Sequence, residues 1–93
     1  MVIGVIKIKI HTNWVHSLKE KRMVVKSLCA KVSNKFNVSI AEVEEQDIHQ
    51  VTVLSIATVT SDASHADSIM DQVIDFIDGN TEGEIIQIER EIS

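Results

Sequence analysis

A lone cysteine, Cys29, excludes an internal disulfide and makes a reducing cytosol the expected location. The three glycines, Gly4, Gly79 and Gly83, build no glycine-rich loop, so no nucleotide phosphate is expected to be cradled. Proline is absent altogether, and there is no linker or low-complexity tract. No stretch approaches the ~20 apolar residues of a membrane span. The opening apolar run meets Lys7 and Lys9 at once, the reverse of the order that a secretion signal needs. His11 and His16 are five apart, and His49 and His65 are distant in sequence. Without HxH or CxxC spacing, neither a metal nor another cofactor is expected. Aromatic rings are confined to Trp14, Phe36 and Phe76.

Charge of each sign is missing from one part of the chain. Eight of the nine cations lie in the first 35 positions, where Glu20 is the only carboxylate. From position 36 onward Arg90 alone faces thirteen carboxylates, and the whole chain carries a formal −5. A domain divided in this way can attract a polyanion at one end or another copy of itself. Its net acidity means that any affinity for nucleic acid must be local.

Ninety-three residues with an apolar fraction of 44 % make one globular domain, residues 1–93, rather than a disordered chain. Val2 to Ile10 alternates, with Ile6, Ile8 and Ile10 on one face and Val5, Lys7 and Lys9 on the other, so a strand is predicted. Ser17-Leu18-Lys19-Glu20 is a capping box that starts a helix at Leu18. Leu18, Val25, Leu28, Cys29, Val32 and Phe36 form its apolar stripe. Asn37–Val43 and His49–Thr60 are the next strands, joined by an acidic turn over Glu44–Asp47. Ser61 or Asp62 caps a second helix with Ala66, Ile69, Val73 and Ile77 inward, and Gly79-Asn80 is expected to end it. Glu84–Ile92 is the last strand. The order βαββαβ with right-handed crossovers gives an α+β, ferredoxin-like plait: a four-stranded antiparallel sheet with both helices on one face.

Four segments are familiar together: His16-Ser17-Leu18-Lys19-Glu20-Lys21-Arg22, Phe36 to Val43, Gln46-Asp47, and Glu89-Arg90-Glu91. Over essentially its whole length the chain resembles the YlxP-like family of small bacterial proteins, a domain of unknown function. The resemblance implies a ferredoxin-like fold and an association, by gene neighbourhood, with translation factors and ribosome maturation. It implies no catalytic residue. The acylphosphatases share the fold, but their glycine-flanked arginine loop is absent between the first strand and first helix, so that activity is not expected, and the leading expectation is a non-enzymatic module.

Two surfaces stand out. Lys19, Arg22 and Lys26 stack along the first helix at i, i+3 and i+7, with Trp14 and His16 just before it. Cations beside a flat ring suit single-stranded RNA, so these five residues are the expected RNA- or ribosome-contact site. No aromatic falls on the central strands, which excludes a standard RNA recognition motif. The uncovered sheet face, with Ile3, Val5, Val51 and Val53, is the expected surface for self-association. There Lys7 and Lys9 are expected to pair with Glu89 and Glu91 of the last strand. Asp67, Asp71, Asp75 and Asp78 make an acidic line on the second helix, expected to be solvated. The alternative to RNA contact is a structural or regulatory homo-oligomer whose charges pair within or between subunits.

Overall fold

The computed structural model describes residues 1–93. Six elements follow one another: β1 (Val2–His11), α1 (Leu18–Lys35), β2 (Ser39–Glu44), β3 (Val51–Thr60), α2 (Ala63–Asn80) and β4 (Glu84–Ile92). The strands form one antiparallel sheet in the order β2-β3-β1-β4. This is the ferredoxin-like plait, and both helices lie on one face. Alternation along β1 sets that face, since Ile6, Ile8 and Ile10 are buried opposite Ile56, Leu54 and Thr52 of β3. Onto them pack Val25, Leu28 and Val32 of α1 and Met70, Val73 and Ile77 of α2.

Local chemistry fixes the helix starts. Ser17 Oγ accepts from the Glu20 N–H at 3.1 Å, and Asp62 Oδ1 accepts from the His65 N–H at 2.7 Å. The Glu20 carboxylate reaches back one residue beyond the cap, accepting from the His16 N–H at 3.4 Å. The end of α2 departs from expectation. Gly79 and Asn80 remain helical, and no glycine has a positive φ. The last turn is closed by the Thr81 N–H on the Ile77 carbonyl (3.0 Å) and by the Asn80 side-chain amide on the Phe76 carbonyl (2.8 Å). A left-handed glycine cap is therefore unnecessary. On α2 it is Met70, not Ile69, that is fully buried.

The β2–β3 connection is longer than expected. β3 begins at Val51 because the carbonyls of His49 and Gln50 accept from the Thr12 hydroxyl (2.8 Å) and the Thr12 N–H (2.7 Å). Both edge strands lose register locally, β2 between Glu42 and Glu44 and β4 opposite Lys9 and Ile10. Such bulges blunt a sheet edge against uncontrolled pairing. No helix is long and apolar enough to cross a membrane.

Candidate functional site

Cations dominate the outer flank of α1. At about 100° per residue, Lys19, Arg22 and Lys26 stand within one 60° sector. All three are exposed, and none has a carboxylate within ion-pair distance. His16 is exposed at the amino-terminal end of this ridge. Three other cations, Lys7, Lys21 and Arg90, are each matched to carboxylates. Lys7 is held by Glu44 and lies 3.9 Å from Glu89. The bond to Glu44 pushes the Lys7 pKa upward, with Glu89 adding to the effect. Arg90 spans Asp67 and Asp71, each at 2.5 Å. That clamp engages two of the four aspartates on α2, a line that was expected to be solvated throughout.

Trp14 does not join the ridge. Its ring is half-buried and lines a cleft of about 360 Å³ with Met23, Val24, Leu28 and Lys31 of α1 and Asn80–Glu82 at the end of α2. Val24, Ser27 and Lys31, which also line the cleft, are centred roughly 140° around the helix from the ridge. The indole is thus seated on the flank of α1 facing the end of α2, while the ridge occupies the flank turned away. The reason is backbone proximity: Gly83 lets the ring edge and the His11 carbonyl approach closely. RNA held on the ridge would have no aromatic platform.

The charged residue overlooked by pattern is Lys21, which is only 1 % exposed. Its Nζ donates to the carbonyls of Glu45 (2.7 Å) and Ile48 (2.6 Å), and Glu42 Oε2 lies 2.7 Å away. That carboxylate oxygen is buried and sits off hydrogen-bond geometry, so the ammonium charge is what satisfies it. The β2–β3 turn wraps around one cation, with Glu45 in the left-handed region at φ 57°. A sequence signal for this exists. Leu18 and Val25 are two turns apart, so position 21 or 22 must face inward, and both are cations.

The sheet face opposite the helices divides in two. At one end Ile3, Val5 and Val59 form an apolar end, with Val59 the most open at 65 %. In the middle, side chains of Lys7, Lys9, Glu44 and Glu45 surround Val53, which is buried. Val53 is therefore sealed by its own charged neighbours and offers nothing to a partner, while Val51 is half-buried. Lys7 pairs chiefly across β3 to Glu44 rather than to β4 as expected, and Lys9 faces Gln87 with no carboxylate in reach.

Cys29 packs half-buried against the core. Burial pushes its thiol pKa up, and the nearby Glu42 carboxylate adds to this. Alkylation by iodoacetamide at pH 7.5 is expected to run several-fold slower than for a free cysteine peptide and to accelerate on unfolding.

Residues 3–90 match the protein family described as "Protein of unknown function (DUF503)". The chain belongs to this family. It is 47 % identical over 62 residues to "Uncharacterized protein YlxP" of Bacillus subtilis (strain 168), covering 67 % of each chain. Among solved structures it is similar to a de novo designed protein with a ferredoxin fold, at TM-score 0.62 and 17 % identity. That likeness covers 99 % of this chain and 85 % of the designed one, and it concerns the fold alone. The YlxP-like resemblance read from the sequence is thus shown, and it comes with no biochemical activity attached.

Proposed function

We propose that this DUF503 member is a non-enzymatic accessory module that contacts RNA, free or in a ribosome, through the α1 ridge of Lys19, Arg22 and Lys26. One observation carries this. Lys7, Lys21 and Arg90 are matched with carboxylates, whereas these three are not, and unlike the other unpaired cations, Lys9, Lys31 and Lys35, they form a line of three on one helix flank. Three ammonium or guanidinium groups spaced along a helix suit successive phosphates. With Trp14 on the other flank, contact is electrostatic and indifferent to base identity.

Fluorescence anisotropy of a labelled oligo(U) strand tests it. Three phosphate contacts predict that raising salt from 50 to 200 mM weakens binding about 20-fold. Lys19→Glu/Arg22→Glu/Lys26→Glu is expected to abolish binding, while Trp14→Phe leaves affinity unchanged. Absence of binding by the native chain at 50 mM salt would rule the proposal out.

A further inference from the structure

We infer that the ridge on α1 is also a docking surface for a second copy of this chain, which presents the acidic line of its α2. Within one molecule the two lines are kept apart. Arg90, on the edge strand β4, reaches Asp67 and Asp71, so the acidic line lies on the flank of α2 nearest that edge. The ridge lies on the flank of α1 turned away from α2, whose other flank borders the cleft at Asn80–Glu82. The two charged flanks therefore face outward in opposite directions, and neither can satisfy the other intramolecularly.

Their spacings are mirror images. Lys19, Arg22 and Lys26 are separated by three and then four residues; Asp71, Asp75 and Asp78 by four and then three. At 1.5 Å per residue each line is about 10.5 Å long. Laid antiparallel, Lys19 meets Asp78, Arg22 meets Asp75 and Lys26 meets Asp71, one for one. Laid parallel, the middle pair falls out of step by one residue and about 100° of rotation. The antiparallel sense is also the one that the fold supplies. β1 and β2 run one way and β3 and β4 the other, so α1 and α2 are antiparallel. Two copies lying side by side in the same orientation bring α1 of one antiparallel to α2 of the next. Asp75 and Asp78 have no cation in ion-pair reach. On β4, Ile88 (42 %) and Ile92 (39 %), either side of Arg90, remain open. A helix docked against this flank would shield apolar surface as well as charge.

The contact is heterologous: each copy offers one ridge and one acidic line, so association proceeds head to tail rather than stopping at a symmetric pair. Exposed ion pairs are individually weak and screened by salt, so association belongs to concentrated protein at low ionic strength. It draws on the same cations as the proposed RNA contact but does not rest on it.

Sedimentation velocity from 10 μM to 1 mM protein tests the inference at 20 and 500 mM salt. The native chain is expected to show a weight-average sedimentation coefficient that rises with concentration at 20 mM salt and stays monomeric at 500 mM. Lys19→Glu/Arg22→Glu and Asp75→Lys/Asp78→Lys are each expected to be monomeric alone and to associate when mixed, because each supplies the surface that the other has lost. Misfolding could not produce that rescue. A native chain monomeric at 1 mM and 20 mM salt overturns the inference. So does association that survives either charge reversal, or a mixture that fails to recover it. The Asp75→Lys/Asp78→Lys variant separates the two proposals, since it loses self-association while its ridge remains able to bind oligo(U).

Discussion

Replacing Lys21 by methionine is expected to destabilise the domain by about 3–5 kcal/mol, the usual cost of removing one partner from a buried ion pair. Methionine matches the length and apolar character of the lysine stem, so packing is largely kept and the loss isolates the ammonium group. Without it, Glu42 Oε2 is left buried with no other partner, and the carbonyls of Glu45 and Ile48 lose a donor at 2.7 and 2.6 Å. An unsatisfied buried acceptor costs about 1–3 kcal/mol, so these losses are large enough to account for the total. The left-handed backbone at Glu45, worth about 1–2 kcal/mol of strain in a non-glycine residue, would also lose the contact that offsets it. For a domain this size the melting temperature should fall by roughly 4–8 °C per kcal/mol. The Lys21→Met/Glu42→Leu double variant should recover part of the loss, because it removes the stranded carboxylate together with its counter-ion. Thermal or urea unfolding of the two variants checks both statements. A Lys21→Met protein as stable as the native chain would mean that the cage contributes nothing.

Lys21 also marks where sequence patterning stopped. The six elements, their order and the inward stripes of β1, α1 and α2 were legible because they follow from periods of 2 and 3.6 and from Ser17 and Asp62 at the helix starts. Side-chain partners across elements were not. Helical spacing shows that a cation at position 21 or 22 faces inward, but the Glu42 carboxylate and the two carbonyls that receive Lys21 emerge only when the β2–β3 turn is folded over it. Likewise Trp14 adjoins the ridge along the chain but is drawn to the opposite flank of α1 by the approach of β4 at Gly83. The acidic line on α2 was visible as spacing. That half of it is clamped by Arg90 depends on which strand lies at the sheet edge, a tertiary fact. The same holds for Val53, whose place on the uncovered face was legible while its cover of Lys7, Lys9, Glu44 and Glu45 was not.

Two glycines four residues apart should respond to alanine with opposite signs. Gly79 lies in the last turn of α2 with nothing within 4 Å of an added methyl and no positive φ, so Gly79→Ala should stabilise the domain by about 0.5 kcal/mol through helix propensity. At Gly83 an added Cβ would stand 2.2 Å from the His11 carbonyl oxygen and 2.7 Å from both Ile10 Cγ2 and Trp14 Cζ3. A backbone oxygen in a paired strand cannot step aside cheaply. Either β4 must lift from β1 where Glu84 faces His11 and Ile85 faces Ile10, or the turn after α2 must rebuild. Overpacking of this kind costs about 1–3 kcal/mol when soft side chains yield and more when backbone must. Gly83→Ala is therefore expected to lose at least about 3 kcal/mol, with a red shift of the Trp14 emission as the ring leaves its half-buried seat. Calorimetry and tryptophan fluorescence on the two variants decide the matter. Equal melting temperatures, or an unshifted emission in Gly83→Ala, would show that β4 and Trp14 are not packed together as closely as the cleft requires. A Gly83→Ala protein that unfolds earlier while still binding oligo(U) at low temperature would place the cleft in the architecture of the domain and leave the ridge as its contact surface.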